Sequence, residues 1–183
     1  YNNEPFAVEL PQYKVAGGKS TQLAAKPFKV DQEYQVAVLT DFCNECGNCE
    51  TFCPTADKPY KNKPRLYLKR KEFEAEQNNA FMIFHDENTW GAQAKFNGET
   101  HELVWNRELI YQAPKFRATV DPVTFKCNSL EISSQCADGE TISLSECANM
   151  FVLLKGIKNS LAHLPSAESA PSSLFAQHKG ICA

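Results

Sequence analysis

No apolar run in this chain approaches the roughly 18 residues that a bilayer-spanning helix needs, so a membrane partner is not expected. Basic charge is not in excess either: 19 Lys and Arg stand against 22 Asp and Glu, leaving a net charge of −3. Without a long Lys/Arg run there is no electrostatic case for a nucleic-acid partner. The opening residues, YNNEPFAVEL, lack the basic and apolar regions of a secretory signal and carry no starting Met. A piece of a longer polypeptide is the expectation. No G-x-G-x-x-G occurs, which excludes FAD or NAD binding by the Rossmann route within this chain. GGKS at 17–20 is not a P-loop, because Tyr13 stands where its first glycine belongs. HELVW at 101–105 fails the H-E-x-x-H pattern at Trp105. His85, His101, His163 and His178 are scattered and read as surface or core residues.

What the chain does have is cysteine, eight in 183 residues. An even count suits a secreted disulfide scaffold. Half of them, however, fall within the eleven residues from Cys43 to Cys53, in the stretch DFCNECGNCETFCPT. The spacing is C-x2-C-x2-C-x3-C followed by Pro54, the run that ligates iron–sulfur clusters in bacterial ferredoxins. Disulfides do not need such spacing, and thiols reserved for a metal imply a reducing, cytoplasmic compartment.

Two-residue gaps let a tight loop wrap a [4Fe–4S] cube, so that Cys43, Cys46 and Cys49 reach three iron corners. Gly47 relieves crowding between two of them, and Pro54 turns the chain away after the fourth. Zinc is the competing metal, but its modules generally pair two short knuckles across a long gap. The place of Cys53 has two readings. It completes the same cube, or a distant thiolate does so and Cys53 serves another cluster, as in two-cluster ferredoxins. Cys127, Cys136, Cys147 and Cys182 read as small apolar residues, with one of them as the candidate remote ligand. No catalytic residue is assigned.

The expected fold class is α+β, a small ferredoxin-like cysteine-loop module followed by a β-rich module with a C-terminal helix. Residues 1–32 read as an extended or loop-rich lead-in, given their Pro, Gly and small polar content. Residues 33–79 form the ferredoxin-type module. EYQVAVLTDF (33–42) reads as a strand entering the cysteine loop, RLYLKR as a short strand and KEFEAEQNN as a short helix or turn. Lys58, Lys61, Lys63, Arg65, Lys69 and Arg70 read as solvated surface. Residues 80–165 alternate apolar runs with turn formers. Asn97-Gly98 signals a tight hairpin, and Asp138-Gly139 a similar turn. From 143 to 164 the spacing becomes helical, with Ser145 as the N-cap, an apolar face of Met150, Leu153, Leu154, Ile157 and Leu161, and Pro165 as the stop. Residues 166–183 read as a flexible tail.

The stretch CNECGNCETFCPTADKPYKNKPRLYL, over about residues 40–70, resembles the C-terminal part of the large selenate reductase-type flavoprotein subunits. These resemble in turn the glutamate synthase small chain and dihydropyrimidine dehydrogenase. The resemblance implies a [4Fe–4S] cluster on Cys43, Cys46, Cys49 and Cys53, with FAD and NAD(P) bound elsewhere on the full-length protein. The function it implies is electron relay in an oxidoreductase, between a flavin and a redox partner. The implied partners are flavin-containing domains of the same polypeptide or a partner oxidoreductase subunit. A structural metal staple, zinc or a redox-inert cluster, that serves a docking module is the alternative.

Overall fold

A computed structural model describes residues 1–53, 57–86 and 89–167. The chain falls into two units, one of residues 1–35 and 103–162, the other of 36–102 with the described residues 163–167. The division differs from the four consecutive segments expected, because the N-terminal stretch joins the later strands and the helix rather than leading into the cysteine loop.

In the first unit, β1 (Phe6–Ala16) and β2 (Lys19–Val30) form a long antiparallel hairpin, from Phe6 opposite Val30 to Ala16 opposite Lys19. The stretch is thus extended rather than loop-rich, and its strands pair with each other. Its glycines close the hairpin: Gly17 and Gly18 have φ of 58° and 70°, the left-handed pair that a two-residue turn requires. Beyond β1 lies β11 (Thr141–Ser143), giving a sheet in the order β11-β1-β2. Asp138-Gly139 does make a turn, but it delivers β11 to β1 rather than back onto the preceding strand. The strands β8 (Leu109–Gln112), β9 (Phe116–Val120) and β10 (Cys127–Ile132) pair antiparallel in sequence order.

The long helix α4 (Ser145–Ser160) completes this unit. Ser145 is its first residue rather than its cap. Leu144 holds the capping position, and the Ser145 N–H donates to Ser143 Oγ at 3.2 Å. The helix ends at Ser160, short of Pro165, with Leu161 only partly covered. Met150, Leu153, Leu154 and Ile157 are buried as the spacing predicts, and so are Cys147, Ala148, Phe151 and Val152. Phe151 lies edge-on to Phe6 and Trp105, with centroids 5.8 and 5.1 Å apart. Aromatic burial of this kind is the largest apolar contribution available to a unit of this size.

In the second unit, β3 (Val38–Leu39) and β4 (Arg65–Leu66) are parallel, and β4 is parallel to β5 (Ala80–His85). Only two residues of the 33–42 run form strand; Thr40–Phe42 turn at once into a short 3₁₀ segment. Parallel neighbours need a crossover of a dozen residues or more. Here the β3–β4 crossover carries the cysteine run with α1 (Asn48–Thr51) and α2 (Pro59–Asn62), and the β4–β5 crossover carries α3 (Arg70–Ala75). β6 (Trp90–Phe96) returns antiparallel to β5, and the turn Asn97-Gly98, with φ of 52° and 81°, opens β7 (Glu99–Trp105). The unit boundary falls within β7. Phe73, Phe81, Met82, Phe84 and Ala92 lie in the core, where each buried Phe or Met side chain contributes about 1.5–3 kcal/mol.

The start of the expected tail is held: Ser166 Oγ accepts the His85 N–H at 3.2 Å, and the Ala167 N–H donates to Ile83 O at 2.9 Å. Pro54, His178, Cys182 and residues 168–183 lie outside the described residues, as do the expectations placed on them. Among the described residues, no helix is long and apolar enough to cross a membrane.

Candidate metal centre

The crossover after β3 carries all four cysteines of the run. The Thr40 hydroxyl donates to Leu66 O of β4 at 2.9 Å, and the Cys43 N–H closes the 3₁₀ turn on Thr40 O at 3.1 Å. Cys43 therefore emerges beside the second residue of β4. Asn44 Oδ1 accepts the Cys46 N–H at 3.3 Å, a local side-chain turn of the kind Asn favours. Glu45 and Gly47 both sit in the left-handed region, with φ of 53° and 80°. Residues alternating into that region curl a loop so that successive amides face one side, a concavity found at many iron–sulfur sites.

Gly47 O then accepts the Glu50 N–H at 2.9 Å and starts α1, while the Cys53 N–H donates to Glu50 O at 3.2 Å. Among the described residues, the N–H groups of Gly47, Asn48 and Cys49 have no acceptor. Cys43 and Cys53 are half-buried and Cys46 and Cys49 exposed. None of residues 41–53 is buried, and Phe42 and Phe52, each directly preceding a cysteine, are 84% and 83% exposed.

The acidic residues of the loop are matched by the basic residues that follow it. Lys69 pairs with Asp41 at 2.9 Å and Glu72 at 3.3 Å, and Lys58 with Glu50 at 2.7 Å. Both ammonium groups are held above their ordinary range by hydrogen bonds to those carboxylates. Arg65 contacts Glu45 at 2.9 Å and Glu76 at 3.4 Å. Tyr67 donates to the same Glu76 oxygen at 2.7 Å, its phenol pushed up chiefly by burial and then by that bond. Asp57 accepts from Lys63, Asn62 and the Lys58 N–H, which bring its carboxyl down to about 2.

The basic run is thus largely ion-paired rather than merely solvated. Arg70 meets Glu74 at 3.7 Å and donates to Gln93 at 3.0 Å, and Lys61 lies over the Tyr60 ring. A cavity of about 460 Å³ opens beside Cys43, lined by Thr40, Glu45, Arg65, Tyr67 and Glu76 among others. Sequence reasoning missed this Glu45–Arg65–Glu76–Tyr67 network. Its one visible sign was a carboxylate set between two cysteines and a cation-rich segment following them.

Among the described residues, no three His, Cys, Asp or Glu side chains gather closely enough to hold a single metal ion. The four cysteines share one loop without closing on one point. A cube takes one thiolate at each of four iron corners, and so asks for sulfurs spread about a larger group.

The other described cysteines, Cys127, Cys136 and Cys147, belong to the first unit. The Cys127 thiol donates to Ser129 O at 3.1 Å and hydrogen-bonds Tyr13, and burial pushes it up. Cys136 contacts Glu140 Oε2 at 3.1 Å, and desolvation followed by that carboxylate pushes its thiol up as well. Cys147 is wholly buried, and burial keeps it protonated. His85 stacks on Trp90 with its Nε2 3.1 Å from Leu164 O, and His163 is exposed. His101 is buried edge-on to Phe96, and that burial lowers its basicity.

No protein-family profile matches this chain, and no solved structure matches it. Fifty residues are 40% identical to "Putative oxidoreductase YgfK" of Escherichia coli K12, and equally to the protein of that name in strain O157:H7. The match covers 27% of this chain and only 5% of those relatives' length. Part of the chain is therefore related to proteins named as oxidoreductases.

Proposed function

We propose that Cys43, Cys46, Cys49 and Cys53 hold a [4Fe–4S] cube, and that the chain is the electron-transfer module of a multidomain flavin-dependent oxidoreductase. The observation that carries this is the placement of four thiols, at ferredoxin spacing, on one exposed crossover loop. Relatedness over 50 residues to a protein named as an oxidoreductase supports it independently. The donor set fits the group: thiolates are the ligands such clusters take, and the left-handed turns at Glu45 and Gly47 leave loop amides unbonded.

When bound, the cube supplies one-electron transfer. The chain's own residues hold and tune. Cys43, Cys46, Cys49 and Cys53 are the donors. The amides of Gly47, Asn48 and Cys49 are the candidates to stabilise anionic sulfur, a contact that shifts cluster potential. Lys58, Arg65 and Lys69 offset the acidic side chains around the loop. Phe42 and Phe52 offer apolar surface where a redox partner would approach. FAD and NAD(P) belong to other parts of the full-length protein or to a partner subunit, and the thiols require a reducing, cytoplasmic setting.

The test is anaerobic purification with iron and acid-labile sulfide assays, followed by EPR after chemical reduction. The expected result is a brown protein with about four iron and four sulfide per chain. A colourless protein with one zinc per chain and no sulfide overturns the reading in favour of a structural staple.

A further inference from the structure

We propose that Arg65 is a positioning residue for the cysteine loop, clamping Glu45 in its left-handed conformation so that Cys43 and Cys46 stand on opposite sides of a fixed turn. The inference rests on the reading that these cysteines hold an iron–sulfur cube.

Glu45 is the second of the two residues between Cys43 and Cys46, and its φ of 53° is one that residues other than Gly, Asn and Asp seldom adopt. Nothing in its own side chain favours that conformation locally, since Glu lacks the short hydrogen-bonding group that lets Asn do so. What holds it is tertiary: its carboxylate meets the Arg65 guanidinium at 2.9 Å. The guanidinium is itself restrained. Its second arm reaches Glu76 at 3.4 Å, and it lies 5.4 Å from the Tyr67 ring centroid, while the Tyr67 hydroxyl holds the same Glu76 oxygen.

The backbone of Arg65 is fixed as well, paired with Val38 of β3 and Ala80 of β5. The neighbouring residue of β4, Leu66, takes the Thr40 hydroxyl at 2.9 Å. Successive residues of one short strand therefore tether the chain on both sides of Cys43, through Thr40 before it and Glu45 after it. An exposed ion pair on a flexible element contributes little. This one differs because Arg65 is 21% exposed, joins two carboxylates and springs from a strand paired on both sides, with β3 and β5.

The two-carboxylate geometry calls for arginine. A planar guanidinium serves Glu45 and Glu76 through different nitrogens, whereas a lysine ammonium is a single point charge on a flexible stem.

The experiment compares Arg65→Met, Arg65→Lys, Glu45→Gly and the double variant Arg65→Met/Glu45→Gly in the whole chain. The first readout is hydrogen exchange at residues 44–47 of the metal-free protein. The second is the rate at which a ferrous chelator strips iron from the reconstituted protein. Arg65→Met is expected to speed both by about fivefold, the upper end for a partly exposed pair, with Arg65→Lys in between. The double variant is expected to recover most of the loss, because glycine holds a positive φ without a clamp.

Wild-type exchange at 44–47 in Arg65→Met would overturn the proposal, and so would a double variant no better than the single one or no better than Arg65→Met/Glu45→Gln, which balances the charge without glycine's freedom. If Arg65→Met fails to fold, Glu45→Gln breaks the same pair from the loop side and leaves β4 intact. If no sulfide is found in any form, the cube reading fails, while exchange at 44–47 still decides the clamp.

Discussion

Replacing Gly47 with Ala isolates the backbone requirement of the loop from its packing. Gly47 has φ 80° and ψ −5°, and a Cβ built there meets nothing within 4 Å. No steric clash therefore contributes, and the cost is conformational, about 1–2 kcal/mol for an L-residue held left-handed. Alanine stiffens the unfolded chain, which offsets about 0.4–1 kcal/mol of that. A net penalty of about 1 kcal/mol remains, or roughly a fivefold change in an equilibrium constant. The alanine variant either bears that penalty or lets residue 47 swing to negative φ. A swing would remove the carbonyl that accepts the Glu50 N–H and carry Cys49 away from Cys46.

The assay is the iron retained per chain in competition with a chelator after anaerobic reconstitution, beside urea unfolding of the metal-free chain. Retention is expected to fall about fivefold in Gly47→Ala and clearly less in Gly47→Asn, since Asn tolerates the left-handed region. Global stability should fall by no more than that penalty of about 1 kcal/mol, because none of residues 41–53 is buried and the loop can relax. Equal iron retention in wild type, Asn and Ala variants would refute the claim that this turn shapes the site. So would equal losses in Asn and Ala.

Cys53→Ser is expected to remove most of the bound iron and sulfide, while Cys127→Ser and Cys136→Ser, at locally bonded cysteines, leave both unchanged; an intact cube in Cys53→Ser would instead point to a remote ligand. Burial depresses His101 below its ordinary value of 6.5, so above that pH folded and unfolded states are both neutral and the full stability is present. Below it the unfolded chain takes up the proton first, and stability falls until the folded value is reached. Urea midpoints at pH 7.5 and 5.5 should show this drop, reduced in His101→Gln. A Cβ on Gly156 would lie 2.2 Å from Tyr1 Cδ2 and 2.9 Å from Asn3 Oδ1. Overpacking of about 1–3 kcal/mol outweighs a helix-propensity gain of about 1 kcal/mol, so Gly156→Ala should lower the urea midpoint and a further Tyr1→Ala should restore part of it. The pairs Lys58–Glu50 and Lys69–Asp41 are solvent-accessible. Exchange of loop amides 41–53 should therefore quicken at 1 M salt, where the Debye length is about 3 Å, while amides of β5 stay unchanged.

The Asn97-Gly98 turn and the long helix α4 were legible because each depends on local signals: positive φ and helical period. The β1–β2 hairpin was not, although Gly17-Gly18 is itself a hairpin signal. Pro11 and Pro27 argued for loop, and both turn out to sit where a strand tolerates proline. Pro11 lies at the register shift between Leu10 and Gln12, and Pro27 on β2, at the edge of its sheet. β2 is also almost wholly exposed, so it has no buried face to print an alternating pattern on the sequence. The 33–42 strand was overextended because pairing, not composition, sets strand length, and β4 offers it two partners only. The clamp on Glu45 was invisible for a simpler reason. Arg65 lies twenty residues away in the chain, and only the parallel pairing of β3 and β4 brings it alongside the loop.

That pairing also decides how the loop is held. A crossover with no buried side chain among its described residues cannot take its shape from a core, so tethers must supply it. Those present are one hydroxyl bond from Thr40, the left-handed turns at Glu45 and Gly47, and ion pairs from Arg65, Lys58 and Lys69. Meanwhile Phe73, Phe81, Met82 and Phe84 bury their side chains without any help from the cysteines. In small zinc modules the metal stands in for a core, and binding and folding are one event. On the proposed reading the two are separable: the unit has its own apolar core, so the free energy of binding a cluster would go into ordering a loop already half arranged. Substitutions in the tethers should therefore act on metal retention far more than on global stability, whereas substitutions in the core should act on both.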